Sequence, residues 1–467
     1  MVKFRYTKMA YKDPDDMVFG HAIYPVFCKN WNIQFGAGYV IPEVKVAPRP
    51  GMGDSLEKLK AEHERITRDA CDRAAAIGIP FFMIEQEHVF QQTDNPKWAG
   101  EITALQAAII EEYVSKYGMK AALRQTVGDI RIAEKPGGLR ASLGSEYDAH
   151  IAETVEECCK NGASDICMET MGGKEVLDYG CMRQDIRAIL FGIGYLGSID
   201  MEYVWTRNVE ICGHYATNPG GETNCSGANT LMFVAGGLTA HDFPHTVAMM
   251  GRAIAAGRTL VAYECGAVGP HKDCAYEGPI LKAVSGRPGA QEGKQAVCAH
   301  GDVMGNTIAA VCDVWSNESV EFHSEFGGTT PAVWLQATAM EAALMNTAIQ
   351  TGQAKVLRDL YTLTDRFRDP QGYCLSYDNA WRIGNALVEY GKDIYLRARA
   401  AALEAGKIMK EAHEKREVVL TRFELDSLER AMAELEAMTT ETPRWVEKCV
   451  ADYKRKVPNF KPENYGL

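Results

Sequence analysis

An α/β architecture, a (β/α)8 TIM barrel with an additional mainly helical C-terminal region, is the fold class this sequence predicts. Three observations predict it. From about Gly38 to Gly352, short apolar runs alternate with amphipathic stretches, the rhythm of parallel strands joined by crossover helices. The alternation repeats about eight times, which suits a closed barrel. The first apolar run, VIPEVKVAPRPGMGD, lacks the G-x-G-x-x-G that an open doubly wound sheet would carry at that point. Beyond about Ala354, Ala, Leu, Glu and Lys dominate and strand patterns vanish. The expected division is a barrel domain over residues 1–352, with an N-terminal extension, and a helical region over 353–467 packed on the barrel.

In chain order, VIPEVKVAP leads to the helix pattern SLEKLKAEHERITRDACDRAAAIG, PFFMIEQEH to ITALQAAIIEEYVSKYG, and KAALRQTVGDI to SEYDAHIAETVEECCKNG. ASDICMET leads to VLDYGCMRQDIRAILFGIG, and a weaker strand, CGHYATNPG, to SGANTLMFVAGG. TLVAYECG reads as the sixth strand, before EGPILKAVSG. QAVCAHGD reads as the seventh, before VMGNTIAAVCDVW, and ESVEFH as the eighth, before PAVWLQATAMEAALMNTAIQTG. The segments NAWRIGNALVEYGKDIYLRARAAALEAGKIMKEAHEKR and FELDSLERAMAELEAM read as C-terminal helices.

Composition narrows the function. A formal net charge of −12 argues against a nucleic-acid backbone as partner. There is no apolar run of ~18 residues to span a membrane, and MVKFRYTKMAYKDPDD lacks the apolar core of a secretory signal. A cytoplasmic location follows, where the 14 cysteines stay reduced. No C-x-x-C occurs, which disfavours zinc ribbons and thioredoxin chemistry.

Three residues stand at strand-to-helix junctions, where barrel enzymes place their chemistry. Glu169 lies in DICMETMGG, Cys225 in GETNCSGAN and Cys274 in GPHKDCAYEGP. Singly, each is more often a packed thiol or a solvated carboxylate. By strand count, however, they fall in three consecutive βα loops. Two thiolates and a carboxylate suit Zn²⁺ and leave the fourth tetrahedral position open, the form of a catalytic site. Cys225 also precedes a helix pattern, whose N-terminal dipole favours a thiolate.

DICMETMGGKEVLDYGCMR, GGETNCSGANT and AVGPHKDCAYEGP together resemble the methanol–corrinoid methyltransferases of methylotrophic methanogens and acetogens. FRYTKMAY and FGHAIYPV are similar as well, so the resemblance spans nearly the whole chain. It implies a TIM barrel with one zinc per chain, held by Glu169, Cys225 and Cys274. It also implies transfer of the methyl group of methanol to Co(I) of a corrinoid carried by a separate corrinoid-binding protein. The D-x-H-x-x-G motif of corrinoid carriers finds only Asp148-Ala149-His150-Ile151-Ala152-Glu153 here, with Glu in the glycine position and a helical context.

Hydroxide is a poor leaving group, because water has a pKa of about 15.7, whereas zinc-bound water titrates near 7. An anionic shell of two thiolates and a carboxylate weakens that assistance, so the expectation is either that a nearby acid or hydrogen-bond donor assists the oxygen or that Glu169 changes its coordination during turnover. The candidates for this general acid are Glu85 and Asp129, which end apolar runs; Glu87 and His88 share the first of these positions. His271 and Cys265 are rival metal ligands. His241 and His245 flank Pro244 and suit a helix start. Three other functions stand beside the first reading: a zinc methyltransferase for a methoxyarene, betaine or thiol; a zinc hydrolase, disfavoured because no H-x-H occurs; and a non-catalytic scaffold subunit. The oligomeric state, homo- or hetero-oligomeric, is open at this point.

Overall fold

The computed structural model describes residues 2–128, 144–223, 230–231, 234–235, 243–273, 277–293, 303–319 and 331–467; side chains are described throughout these except at 144–149 and 273. Two antiparallel strands come first, β1 (His21–Cys28) and β2 (Ile33–Ala37). Eight parallel strands follow among the described residues: β3 (Ile41–Val46), β4 (Phe81–Glu87), β5 (Lys120–Val127), β6 (Asp165–Met168), β7 (Asn218–Glu222), β8 (His271–Asp273), β9 (Gly289–Glu292) and β10 (Val314–Ser319). Their order in the sheet is β7-β6-β5-β4-β3-β10-β9-β8. The edges meet where Val268 N–H donates to Pro219 O (2.9 Å) and Gly269 N–H to Gly220 O (3.0 Å). The sheet thereby curls into a nearly closed barrel.

Helices wrap the barrel in alternation. They are α1 (Leu56–Ile77), α2 (Pro96–Tyr117), α3 (Gly144–Lys160), α4 (Lys174–Cys181), α5 (Gly197–Gly213), α6 (His245–Cys265), α7 (Gly278–Ser285), α8 (Gly305–Ala309) and α9 (Pro331–Gln350). Local chemistry sets their ends. The Ser55 hydroxyl accepts from Lys58 N–H to open α1, and Gly78 in the left-handed region (φ 70) closes it. Between α4 and α5 the chain stays helical from 186, with a π-wound turn over Leu190–Leu196.

The β1–β2 hairpin plugs one end of the barrel. Val26, Cys28, Ile33 and Phe35 are buried against Ile41, Met83, Ala122, Ala290 and Val314, all near strand starts. The N-terminal end is therefore sealed by apolar packing, and chemistry is left to the C-terminal end.

The C-terminal region is helical, as expected: α10 (Ala354–Asp365), α11 (Pro370–Leu375), α12 (Tyr377–Glu389), α13 (Ile394–Glu414), α14 (Arg422–Ala437) and α15 (Thr442–Lys456). It lies over α6 and the π-wound turn. Trp445 stacks on Tyr395 with centroids 3.8 Å apart and meets Phe191 edge-on at 5.6 Å. Arg397 on α13 reaches Glu264 on α6 at 2.6 Å, and Arg5 of the N-terminal segment meets the same carboxylate at 2.5 Å.

The second half of the barrel departs from the sequence expectation. TLVAYECG is not a strand; it is the end of α6, in which every residue from Thr246 to Cys265 is buried. A helix buried on all sides has no polar face, so its apolar run cannot be told from a buried strand by pattern. The sixth barrel strand is instead the polar tripeptide His271–Asp273. CGHYAT belongs to the end of α5 and the turn after it, leaving β7 to Asn218–Glu222. The seventh strand is Gly289–Glu292; QAVCAHGD lies outside the described residues. Strand β10 takes Val314 and Trp315 from the expected helix VMGNTIAAVCDVW, together with Ser316 to Ser319.

Candidate metal centre

The barrel interior is ionic rather than aliphatic. Strand alternation sends Glu43 and Lys45, Glu85 and Glu87, Arg124, Asp165, Lys272, Glu292 and Glu318 inward. In the deeper layer, Arg124 pairs with Glu43 at 2.9 Å and Asp165 at 3.5 Å. Nearer the C-terminal end, Lys272 meets Glu85 at 2.7 Å and Glu292 at 3.5 Å, and Lys45 meets Glu318 at 2.7 Å and Glu87 at 3.1 Å.

Carboxyls outnumber cations in this set, and a buried net charge is costly, so some carboxyls keep protons. Burial raises Asp165 to about 7, with Glu43 adding to the rise against the pull of Arg124. Burial and the hydrogen-bonded neighbour Glu318 raise Glu292 to about 8. Glu85 goes the other way. Burial opposes its charge, but Lys272, Lys45 and Arg124 together hold it below the ordinary carboxyl range, and the Thr126 hydroxyl donates to it at 2.6 Å. A carboxylate held ionised has no proton to give, which weighs against Glu85 as the general acid. Asp129 lies outside the described residues.

Glu169 is the residue after β6 and is buried, 5 % exposed. It continues the inward phase of Asp165 and Cys167. Its neighbour Thr170 is held from β7 and α6. Thr170 N–H and its hydroxyl donate to Glu222 at 2.6 and 3.1 Å. Arg258 donates to Thr170 O at 2.6 Å and to Glu222 at 3.2 Å, and Trp205 Nε1–H donates to the other Glu222 oxygen at 3.2 Å. Thr223 N–H closes on Met168 O at 3.0 Å, which keeps the ends of β6 and β7 level.

Cys225 and Cys274 lie outside the described residues; the described chain reaches Thr223, just past β7, and Asp273, the end of β8. Among the described residues no group of three or more His, Cys, Asp and Glu side chains is disposed to hold a metal. The rivals are placed elsewhere. His271 turns toward the helix layer, where its Nδ1 meets the Tyr263 hydroxyl. Cys265 ends α6 rather than a strand and packs with its thiol 3.7 Å from the Thr206 hydroxyl. His245 opens α6 with Nδ1 2.6 Å from Asp369. His88 is buried between β4 and the helix layer, 2.9 Å from the Gln125 amide oxygen. Residues 148–153 lie within α3, the helical context the sequence predicts for them. A cavity of about 600 Å³ beside Tyr39, Phe81 and Met340 opens near the starts of β3 and β4, away from this mouth.

Lys272, Glu292, Glu318, Glu222 and Arg258 were not singled out by the sequence. The alternation in PEVKV and MIEQE, charged at every second position, was the available signal of an ionic interior.

A barrel sealed at one end, ionic within, and carrying a buried carboxyl-bearing residue, Glu169, at its open end has the form of a barrel enzyme. The chain matches the family model described as "Methanol-cobalamin methyltransferase B subunit" over residues 3–466. It is 49% identical over 467 residues, the full length of both chains, to the "Methanol--corrinoid protein co-methyltransferase" of Methanosarcina barkeri (strain Fusaro / DSM 804). It is also similar to a chain in the crystal structure of the methanol:cobalamin methyltransferase complex MtaBC from Methanosarcina barkeri, with a TM-score of 0.94 and 48% identity, covering 99% of this chain and 100% of that one. The chain belongs to the methanol-cobalamin methyltransferase B subunit family.

Proposed function

We propose that this chain is a zinc-dependent methyltransferase that takes the methyl group of methanol and delivers it to Co(I) of a corrinoid held by a separate protein. The observation that carries the reading is the full-length family match joined to a buried Glu169 at the open end of the barrel. The relatives are named for methanol and a corrinoid protein, and one was solved in such a complex. The proposed ligands are Glu169, Cys225 and Cys274, which follow β6, β7 and β8 in the chain. A carboxylate and two thiols are a donor set that fits Zn²⁺. Bound there, the metal supplies the Lewis acidity that weakens the carbon–oxygen bond.

The rest falls to the chain. Glu222 and Arg258 hold the backbone of Thr170, the residue after Glu169. The sealed lower end and ionic interior confine the alcohol to the open end. Methyl transfer to Co(I) consumes one proton as the oxygen leaves as water; the proposed source is Glu292, which burial and Glu318 raise to about 8. The corrinoid protein docks over the open end, since the other is closed by the hairpin. A cytoplasmic location is supported by the described cysteines, all free thiols. No helix among the described residues is long and apolar enough to cross a membrane.

Methyl transfer to cob(I)alamin from methanol, methoxybenzoate and methylamines tests the substrate; turnover is expected with methanol, and its absence rejects the reading. Glu169→Gln, Cys225→Ala and Cys274→Ala should each lose most bound zinc while circular dichroism stays native, because a barrel core does not depend on a metal at its mouth. Full zinc content in any of them removes that residue from the ligand set.

A further inference from the structure

Resting on the reading of Glu169 as a metal ligand, we infer that the C-terminal segment is a positioning element of the site, with the Tyr465 hydroxyl fixing one end of the Glu169 loop while the Glu222–Arg258 pair fixes the other. The loop from Glu169 to Gly173 has little regular structure of its own, so its backbone groups need partners from elsewhere. They find them on four separate elements. Thr170 N–H goes to Glu222 of β7 at 2.6 Å, and Thr170 O receives Arg258 of α6 at 2.6 Å. Gly172 N–H goes to Asp200 of α5 at 2.9 Å. Gly173 N–H goes to the Tyr465 hydroxyl at 2.7 Å.

Tyr465 is built to stay. It is 2 % exposed, its ring packs on Phe460 at 6.1 Å, and Phe460 packs on Phe191 at 5.7 Å. Its hydroxyl accepts from Gly173 and donates to Glu175 at 2.9 Å, so both of its roles are used. Burial, with Glu175 and Asp200 nearby, pushes the phenol far above its ordinary range, which keeps the donor proton in place. The two glycines are required by the same close fit. A Cβ on Gly172 would lie 2.2 Å from Asp200 Cβ, and one on Gly173 (φ +82) would lie 2.0 Å from Gly192 O. A ligand held this way loses little freedom on binding a metal, which strengthens the site.

The experiment compares zinc affinity, by chelator competition, in full-length protein carrying Tyr465→Phe, Glu222→Ala, Glu222→Gln or Tyr395→Phe. Tyr465→Phe and Glu222→Ala should each weaken zinc by roughly 10–100-fold. Glu222→Gln, which keeps an oxygen for Thr170 N–H, should recover part of that loss. Tyr395→Phe is the control. It deletes a hydroxyl in the same C-terminal layer, donated to Thr439 O at 2.7 Å, and should lower the melting temperature with zinc affinity unchanged. If Tyr465→Phe and Glu222→Ala lower the melting temperature but hold zinc as tightly as the native chain, the positioning role is overturned. A Glu169→Gln variant that binds zinc normally would instead overturn the ligand assignment on which the comparison stands.

Discussion

Glu292 shows how a single side chain couples the interior to pH. Its raised pKa means the folded chain holds a proton that the unfolded chain, with an ordinary carboxyl near 4.3, has released. Folding takes up a proton between those values, so this group's contribution is complete at low pH and fades as pH rises toward about 8. Over that window its slope approaches 1.4 kcal/mol per pH unit, the linkage of one proton. Glu292→Gln carries no such proton. Urea unfolding at pH 6 and pH 8 should show the variant gaining on the native chain as pH rises. A constant difference between the two would mean that the native chain holds no proton at Glu292. The groups that set this behaviour are Glu318, Lys272 and Lys45, each on a different strand, and no local window of the sequence joins them.

At the scale of elements, α6 is the instructive case. Its run of small residues, AIAAGR, lets neighbouring helices approach closely, and Gly257 lies 3.7 Å from Ala398 of α13 at the position where a Cβ would stand. Ala255 is fully buried in it. Ala255→Leu should therefore cost about 1–3 kcal/mol through overpacking, whereas Ala343→Leu on the exposed face of α9 should cost almost nothing. Equal unfolding midpoints for the two variants would show that α6 is less tightly enclosed than described. The same burial hid α6 from the sequence, since an element with no wet face has no periodicity to read. Strands β8 and β9 failed for the opposite reason. HKD and GAQE are short and carry inward charges, so neither an apolar run nor an apolar–polar alternation marks them.

The whole molecule is held as one body by ties between distant parts of the chain. Glu264, fully buried on α6, is shared by Arg397 of α13 and Arg5 near the N-terminus. Arg397→Met would leave that carboxylate with a weaker partner set and should destabilise the fold by about 3–5 kcal/mol, read as a lower urea midpoint. An unchanged midpoint would show that the C-terminal layer docks through its apolar and aromatic contacts alone. Those contacts are substantial: Phe191, Tyr195, Tyr395, Trp445 and Tyr453 form a continuous aromatic cluster between the π-wound turn and the C-terminal helices.

By itself, the sequence determined the strand–helix rhythm of the first half of the barrel and the helical C-terminal region, because these depend on local periodicity and on residues near one another. Glu169 was legible as the residue that follows ASDICM, and there the structure places it. Cys274 was assigned to a loop after a strand, but to the wrong strand: TLVAYECG is helix, and HKD precedes it. Only the tertiary structure decided the rest. Closure of the sheet brought Lys272 against Glu85, and folding of the C-terminal layer brought Tyr465 to Gly173, 292 positions away in the chain. Such contacts are fixed by packing and by the cost of burying unpaired charge, neither of which is written in any short stretch of residues.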